Sequence, residues 1–287
     1  MASIHCRSIF LSDVHLGTRQ SRADYLLDFL ESTECESLYL VGDIFDLWSM
    51  KRSVYWSTDH SAVIQCILDK AQAGTRVIYI PGNHDEALRA FVGTVFQGVS
   101  VQRQAEHVTA DGRRFLVSHG DEFDTLVKHN RLAKALGDGA YKVLLRINQA
   151  YNAWRMRMGH SYWSLSGHVK TRVGKAREYI RRFEAAAAGR AAERDYDGYI
   201  CGHIHKAGIE RIDGVLYCND GDWVEHCTAL LEDFQGNIRL MHWSNHSREE
   251  ALHRAPALTP TPLPPAGEGL KPAFLQSRVG SGLSFHR

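Results

Sequence analysis

The sequence predicts an α/β protein in which helices join the strands of a buried sheet. Short apolar runs of strand type, SIFLS, SLYLVG, RVIYIPG and RRFLVSHG, alternate with stretches of helical periodicity around Arg22 to Leu30 and Ser61 to Ala73. Polar residues follow the strands directly, and a long helical segment interrupts the alternation in the middle of the chain. Strands joined by helices favour a largely parallel or mixed buried sheet.

Length and composition indicate a soluble globular protein. The 287 residues are enough for one large domain with an insertion or for two small domains. Hydrophobic residues make up 44% and charged residues 23%, and no apolar run approaches the roughly eighteen residues of a membrane-spanning helix. The first residues lack the pattern of an export signal, so we expect a cytoplasmic protein. The cysteines are scattered singly, which favours reduced core residues over disulfides.

The segment 124–190 is predicted to be a helical cap inserted into the α/β core. After the turn signal Asp111-Gly112 the helical patterns cover Thr125 to Leu136, Ala140 to Met158 and Lys170 to Ala188. This segment holds fourteen Lys or Arg and only four Asp or Glu, whereas the whole chain has a net charge of +1. Such a concentration of positive charge favours an anionic partner, although a solvated helix face is the simpler alternative.

Strand patterns resume after the cap and end before a proline-rich tail. The runs GYICG, RIDGVLYCND and CTALLEDFQGNIRLMHW are typical of strands, with Asp213-Gly214 and Gln235-Gly236 as turns. We therefore predict a core formed by residues 1–123 and 191–250. Six of the seven prolines lie beyond residue 255, and residues 251–287 are expected to form a disordered tail.

The residues that follow the predicted strands are of the types that bind metal ions. Residues just past the carboxyl ends of strands line one crevice in an open α/β sheet, so these side chains are expected to converge. Taken alone, an acid and a histidine one residue apart would be a turn cap beside a surface histidine; repetition at five strand ends favours ligation. The residues concerned are Asp13, His15, Asp43, Asn83, His84, His119, His203 and His205.

The donor chemistry favours two ions rather than one. The four imidazoles of His15, His119, His203 and His205, the two carboxylates and one amide oxygen are too many ligands for a tetrahedral zinc site. Two five- or six-coordinate ions that share a carboxylate would use them all. Mixed nitrogen and oxygen ligation without thiolate suits Mn²⁺, Fe²⁺, Zn²⁺ or Co²⁺. A pair of such ions favours metal-assisted hydrolysis of a phosphoester.

The blocks DVH, GD, GNHD, HGD and GHIH, in this order, resemble the signature blocks of calcineurin-like metallophosphoesterases. The resemblance implies a four-layer β-sandwich core flanked by helices, and it implies a ligand set for each ion. One ion would take Asp13, His15, Asp43 and His205, and the other would take Asp43, Asn83, His119 and His203. Asp43 would bridge the two ions.

The same resemblance implies roles for the residues beside the ligands. In the family the histidine after the asparagine contacts the scissile phosphate as an electrostatic stabiliser or general acid, which is His84 here. Asp85 would be its orienting partner, and Asn83 would also contact substrate. Asp46 and Trp48 could reach the site, although we expect Trp48 to be buried under the sheet. Asp121 and Asp124 could position His119, line the pocket or cap a helix, and they are not assigned as ligands.

A finer resemblance extends over most of the chain, to about Trp243. The phrases LVGDIFDLW, GYICGHIHKAGI and YCNDGDWVEHCTALLED are similar to a bacterial branch of UDP-2,3-diacylglucosamine pyrophosphatases. This similarity implies hydrolysis of UDP-2,3-diacylglucosamine to UMP and 2,3-diacylglucosamine 1-phosphate, as in lipid A biosynthesis, with Mn²⁺ as the first choice of metal. The well-studied enzymes of that branch carry GNRD where this chain has GNHD.

The cap is expected to bind the substrate and a membrane surface. Its basic residues accompany several Tyr and Trp, a combination that suits a nucleotide-linked lipid and an anionic bilayer. Lys128 and Arg131 are candidates for contacts to phosphate or headgroup. No obligate protein partner is indicated.

Two other functions remain open from the sequence. A phosphodiesterase or nuclease would use the basic cap to bind nucleic acid, although no nucleic-acid module accompanies the charge. A scaffold that keeps the fold without catalysis would be expected to lose ligands, whereas all those implied by the resemblance are present.

Overall fold

The computed structural model describes residues 3–124, 151, 155, 158 and 174–243, with the side chains of 174–176 excepted. Four α-helices are described: α1 (Ala23–Glu31), α2 (Leu47–Met50), α3 (Thr58–Gln72) and α4 (Gly174–Ala192). Two 3₁₀ helices cover Glu86–Phe91 and Asp121–Phe123. The strands are β1 (Ile4–Leu11), β2 (Thr33–Leu40), β3 (Arg76–Tyr79), β4 (Val95–Phe96), β5 (Val99–Val101), β6 (Ala105–Val108), β7 (Arg114–Val117), β8 (Gly198–Cys201), β9 (Gly208–Ile212), β10 (Val215–Asn219), β11 (Thr228–Glu232) and β12 (Ile238–His242).

The strands form two mixed sheets. The larger has the order β12-β11-β1-β2-β3-β5-β4, and the smaller has the order β6-β7-β8-β10-β9. Strands β1, β2, β3 and β5 run parallel to one another, as do β7, β8 and β10, while β11 runs antiparallel to β1. Because parallel strands end at the same edge, several of the polar segments predicted to follow strands meet there.

Alternation along the strands builds four layers. In β1, Phe10 points into the apolar core between the two sheets, whereas Ile9 and Leu11 point to the opposite face, which α1 and α3 cover. The outer face of the smaller sheet is covered by α4, whose Phe183 and Ala187 pack in a third apolar cluster. The predicted α/β class and the four-layer core are confirmed.

The local predictions agree closely with the described elements. Helices α1 and α3 begin and end within three residues of the predicted stretches. Asp213 and Gly214 both have positive φ, 47° and 90°, as a tight turn between the antiparallel strands β9 and β10 requires. All six cysteines carry free thiols.

Most of the predicted cap, and the whole predicted tail, lie outside the described residues. The described end of the cap, α4, packs on β8 and β10, so this helix completes the fourth layer of the core. The domain boundaries remain predictions. Among the residues that the structure covers, no helix has both the length and the apolar character needed to cross a bilayer.

Candidate metal centre

The carboxyl edge of the two sheets gathers the predicted ligands into two groups. Donor atoms of Asp13, His15 and His205 all lie within 4.8 Å of one another. The same is true of a second group, formed by Asp43, His119 and His203. Each group combines residues from both sheets, so the site lies at the junction of the two sheets.

Left-handed backbone conformations turn the ligands toward each other. Asp13, His15, Asp43, His203 and His205 have φ between 52° and 69°, a region that residues other than glycine rarely adopt. Such conformations cost on the order of 1–3 kcal/mol each and persist where the surroundings determine them. Here the two loops after β1 and β2 fix each other, because the backbone N–H of His15 donates to the carbonyl of Asp43 at 2.9 Å.

Asp13 has one oxygen held by the protein and one directed at imidazoles. Its Oδ2 accepts hydrogen bonds from the hydroxyl of Ser12 at 2.5 Å and from the backbone N–H of His203 at 2.8 Å. Its Oδ1 lies 3.0 Å from Nε2 of His205 and 3.7 Å from Nε2 of His15. Burial opposes ionisation, but the neighbouring imidazoles hold the pKa of Asp13 well below its usual range.

Asp43 is arranged in the same way between the two groups. Its Oδ1 accepts a hydrogen bond of 2.8 Å from the backbone N–H of His84. Its Oδ2 lies 3.4 Å from Nε2 of His119 and 4.0 Å from Nε2 of His15. Against the effect of burial, His119 lowers the pKa of Asp43. This oxygen therefore faces one imidazole of each group.

His119 is oriented by the backbone, and the local sequence leaves room for it. Its Nδ1 lies 2.8 Å from the carbonyl oxygen of Val41, an acceptor that assigns a proton to Nδ1 and directs Nε2 toward Asp43. Gly42, with φ of 89°, adjoins the ring, and a Cβ at that position would collide with it. Glycine before Asp43 is thus required both by conformation and by contact.

The donor set fits divalent cations. Nε2 of His119 and Oδ1 of Asn83 are both buried and have no hydrogen-bond partner within the described part of the chain. Leaving such atoms buried without a partner costs about 1–3 kcal/mol each. Nε2 of His119 lies 3.4 Å from Oδ2 of the ionised Asp43, so either a proton on Nε2 or a cation bound between the two atoms would stabilise the contact. Neutral imidazole, carboxylate and amide oxygen together suit the borderline divalent metals.

The sequence profile of the calcineurin-like phosphoesterase family matches residues 6–207, which include all of these side chains. The chain belongs to the calcineurin-like phosphoesterase family. Members of the family use dimetal centres, and the two groups described above correspond in number to such a centre. The protein is therefore a metal-dependent hydrolase of phosphoesters.

Relatives of known name align over most of this phosphoesterase. A UDP-2,3-diacylglucosamine hydrolase of Haemophilus influenzae (strain PittGG) is 23% identical over 78% of this chain and 94% of its own length. The enzyme of the same name from Xanthomonas campestris pv. campestris (strain ATCC 33913) is 26% identical over 80% of this chain and 96% of its own length. The enzyme of that name from Porphyromonas gingivalis (strain W83) is 27% identical over 78% of this chain and 93% of its own length.

His84 of this phosphoesterase is paired with Asp46, and the predicted pairing with Asp85 is wrong. Nδ1 of His84 lies 3.0 Å from Oδ1 of Asp46, so Nε2 is the ring nitrogen that Asp46 does not contact. Although burial opposes ionisation, the hydrogen bond with His84 and the charge of His15 lower the pKa of Asp46. The short loop after Asp43 places Asp46 at the start of α2, where it also accepts from the N–H of Ser49 at 2.8 Å.

Asp85 instead fastens two loops of the site together. Its carboxylate accepts from the backbone N–H of Gly82 at 2.6 Å and from that of Ile44 at 2.9 Å, and the hydroxyl of Tyr79 donates to it as well. Burial and the charge of Asp43 raise the pKa of Asp85. Since its carboxylate is fully engaged with backbone groups and Tyr79, the side chain cannot also orient His84.

Trp48 differs from its prediction as well. Its side chain is 39% exposed, and its ring lies 4.4 Å from the ring of His84, centroid to centroid. The helix α2 has only four residues and buries none of them, so Trp48 lies on the rim of the site and not under the sheet. A third group of possible ligands, His15, Asp46 and His84, shares His15 with the first group. Both oxygens of Asp46 already accept hydrogen bonds, so we assign it to orientation of His84.

Further carboxylates contact the remaining histidines. Nε2 of His203 lies 2.9 Å from Oδ1 of Asp124, which also accepts from the hydroxyl of Tyr179 on α4 at 2.7 Å. Nδ1 of His205 lies 3.9 Å from Oδ2 of the fully buried Asp222. These contacts are not predictable from the strand-end blocks, because Asp124 and Asp222 lie in other segments of the chain than the histidines they contact. Lys128 and Arg131 lie outside the described residues.

Proposed function

We propose that the protein hydrolyses the pyrophosphate bond of a nucleotide-linked glycolipid, UDP-2,3-diacylglucosamine, releasing UMP and 2,3-diacylglucosamine 1-phosphate. The observation that carries the proposal is the extent of similarity to enzymes named for this substrate. The alignments cover 78–80% of this chain and 93–96% of those relatives. They are long enough to extend beyond the ligand blocks into the segments that would surround a substrate.

The proposed ligand assignment gives each ion residues from both sheets. One ion would be held by Asp13, His15, Asp43 and His205, and the other by Asp43, Asn83, His119 and His203. The position of Oδ2 of Asp43, between the imidazoles of His15 and His119, supports its role as the shared ligand. The buried amide oxygen of Asn83 supports its inclusion.

Manganese is the proposed metal, with Fe²⁺, Zn²⁺ and Co²⁺ as alternatives of similar ligand preference. When bound, a pair of such ions lowers the pKa of coordinated water and neutralises charge on a phosphoryl group. The residues of the chain supply the geometry for this chemistry. The backbone N–H of His84 donates to one oxygen of Asp43, and that of His203 donates to one oxygen of Asp13. The second oxygen of each carboxylate is thereby directed toward the proposed ions.

His84 is proposed to contact the phosphoryl group or the leaving oxygen through Nε2. A proton held there by the imidazolium would be donated to the oxygen on which negative charge develops. Asp46 holds Nδ1 of His84 and so directs Nε2 toward the substrate. The ring of Trp48 covers part of the imidazole, which restricts its rotation.

The cap is proposed to contact the nucleotide-lipid, with Lys128 and Arg131 as phosphate-binding residues and peripheral contact to the inner face of an anionic membrane. The excess of positive charge in residues 124–190 supports this proposal. Sedimentation with vesicles of anionic and of zwitterionic lipid at low salt would measure it. Equal binding to the two kinds of vesicle would contradict electrostatic attachment and the membrane-associated localisation.

The deciding experiment is hydrolysis of UDP-2,3-diacylglucosamine by protein stripped with chelator and reloaded with Mn²⁺. UMP release is followed beside the cleavage of bis(p-nitrophenyl) phosphate. We expect strong turnover of the lipid and weak turnover of the model ester, both dependent on metal. Cleavage of the model ester alone would keep the phosphoesterase and reject the glycolipid as its substrate.

A further inference from the structure

A small cavity beside His119 is rich in arginine. Its volume is about 140 Å³, and Arg89, Arg103 and Arg190 contribute to its wall together with two carboxylates, Asp121 and Glu122. His119 belongs both to this wall and to the proposed ligand set, so the cavity borders the proposed metal centre at this residue.

The carboxylates of the cavity are already engaged. Asp121 accepts two hydrogen bonds of 2.8 Å from Nη2 of Arg89, so these two charges offset each other. Glu122 accepts from the hydroxyls of Ser118 at 2.6 Å and Tyr199 at 3.1 Å.

The other two arginines lack such a partner. In the described part of the chain, no carboxylate lies within ion-pair distance of the guanidinium group of Arg103 or Arg190. Arg190 instead lies over the ring of Phe123, with its guanidinium carbon 5.6 Å from the ring centroid. Three guanidinium groups and two carboxylates in one wall leave the cavity with an excess of one positive charge, which favours a bound anion.

The topology places Arg103 on the same edge as the ligands. It lies two residues beyond the end of β5, which runs parallel to β3 with Val101 opposite Tyr79. The segment after Tyr79 carries Asn83, so both segments leave the sheet at its carboxyl edge. Arg190 approaches from α4, on the outside of the smaller sheet. The cavity is therefore bounded by elements associated with both sheets.

We propose that this cavity is a subsite for a second phosphoryl group of the substrate, bound by Arg103 and Arg190 beside the phosphoryl group that is hydrolysed. The inference rests on the proposed hydrolysis of a pyrophosphate bond and names the residues that would recognise a diphosphate diester. In a diphosphate diester the two phosphorus atoms share one oxygen, so binding one group at the metal centre places the other within a few ångströms. The planar guanidinium fork matches phosphoryl oxygens. The subsite would favour diphosphate diesters over monophosphate diesters.

Binding of small phosphonates to the Mn²⁺-loaded protein, dialysed free of excess metal, tests the subsite. Methylenediphosphonate carries two phosphoryl-like groups and methylphosphonate carries one, and neither has a nucleoside or lipid. By calorimetry we expect the wild type to bind methylenediphosphonate at least about tenfold more tightly. Arg103→Gln and Arg190→Gln should each weaken that affinity by about tenfold and change the methylphosphonate affinity less than about twofold.

Matched variants distinguish a loss of binding at the subsite from an effect of overall charge and from a folding defect. Arg76→Gln removes an exposed arginine at the amino end of β3, the opposite edge of the sheet, and should change neither affinity. Arg103→Lys keeps the charge without the fork and should retain part of the affinity. Arg103 is exposed, so its variants should fold even if Arg190→Gln weakens the packing on Phe123.

The proposal would be overturned if the wild type bound the two phosphonates with equal affinity. It would also be overturned if Arg103→Gln kept the wild-type preference for methylenediphosphonate. Failure of the proposed function has a different signature. Wild-type protein would then release no UMP from UDP-2,3-diacylglucosamine, while its preference for methylenediphosphonate over methylphosphonate could still be measured.

Discussion

The ligand groups and the rim of the same site are built in opposite ways. Asp13, Asp43 and His119 are almost completely buried, and backbone groups or neighbouring side chains hold each of them from behind. At the rim, the side chain of His84 is 28% exposed and Trp48 stands on a helix of one turn. The difference indicates a rigid centre, held by the backbone, and a more open and exposed border.

The greatest loss of turnover is expected when the carboxylate of Asp43, whose Oδ2 faces both groups, is changed. Asp43→Asn should lower kcat by at least about a thousandfold, because Asp43 is the ligand proposed to be shared by both ions. Asparagine tolerates the left-handed backbone, so the fold should be kept. Metal content by mass spectrometry and turnover with a model phosphodiester measure the result.

Asp195→Asn is the matched control for Asp43→Asn. Asp195 is an exposed aspartate with the similar φ of 56°, and its replacement should leave both metal content and turnover unchanged. A fully active Asp43→Asn enzyme with normal metal content would remove the distinction between centre and rim.

The second effect tests the pair at the rim. His84→Gln should reduce kcat by about a hundredfold to a thousandfold, and Asp46→Asn by about tenfold to a hundredfold. Asparagine still caps α2, so the change is confined to the charge behind His84. Metal content should remain normal in both variants.

Coupling between His84 and Asp46 is measured with the double variant. Because Asp46 acts through His84, the double variant should be no slower than His84→Gln alone. Additive losses in kcat would show that Asp46 contributes separately from His84.

The third effect is smaller because it concerns one ring contact. Trp48→Ala should lower kcat/KM by about twofold to tenfold, which corresponds to the 0.5–1.5 kcal/mol typical of aromatic pairs. Trp56→Ala is the matched control: Trp56 is 40% exposed, but it stacks near Phe45 and donates to Ser61. Identical losses in the two variants would assign the effect to the fold and not to His84.

The smallest effect on turnover is expected far from the site, at Glu232. This buried carboxylate accepts from Arg7 at 2.7 Å and from the backbone N–H of Ala110 at 2.8 Å, and it lies 2.9 Å from Nε2 of His107. Glu232→Gln leaves Arg7 and His107 without their charged partner and should lower the free energy of unfolding by about 3 kcal/mol. Turnover of folded enzyme should not change.

The stability of the wild type should depend on pH through the same residue. Burial acts against ionisation, but His107 and the backbone donor lower the pKa of Glu232 in the folded state. Its contribution is therefore present above the unfolded pKa of about 4.3 and is lost as the pH falls through the lower folded value. The melting temperatures of the wild type and Glu232→Gln should therefore converge as the pH falls. A difference in melting temperature that stays constant with pH would contradict this linkage.

The sequence could predict the sheet edge and the ligand types, because strand pattern and ligand position are both local signals. Asp13 and His15 directly follow β1, for example, and parallel strands end together. The partner of His84 could not be found in the same way. Asp85 is adjacent along the chain, yet its carboxylate turns back to Gly82, whereas Asp46 reaches His84 from a different loop.

The exposed position of Trp48 was also not predictable from the sequence. A tryptophan next to an apolar strand is usually buried. Here a helix of only four residues leads the chain away from the sheet and leaves the ring outside. Loop geometry decided this placement, and composition did not encode it.

The position of β1 has a consequence for the motions of the centre. This strand lies between β11 and β2, and its side chains alternate between two apolar layers before the chain reaches Asp13. Backbone amides in such a strand exchange with solvent only when the whole domain opens. Fluctuations that expose Asp13 should therefore be as rare as global unfolding, while those of α2 and Trp48 should be frequent. Backbone amides near Asp13 and Asp43 should then exchange slowly and those of α2 quickly. The amide of His84 should exchange at an intermediate rate.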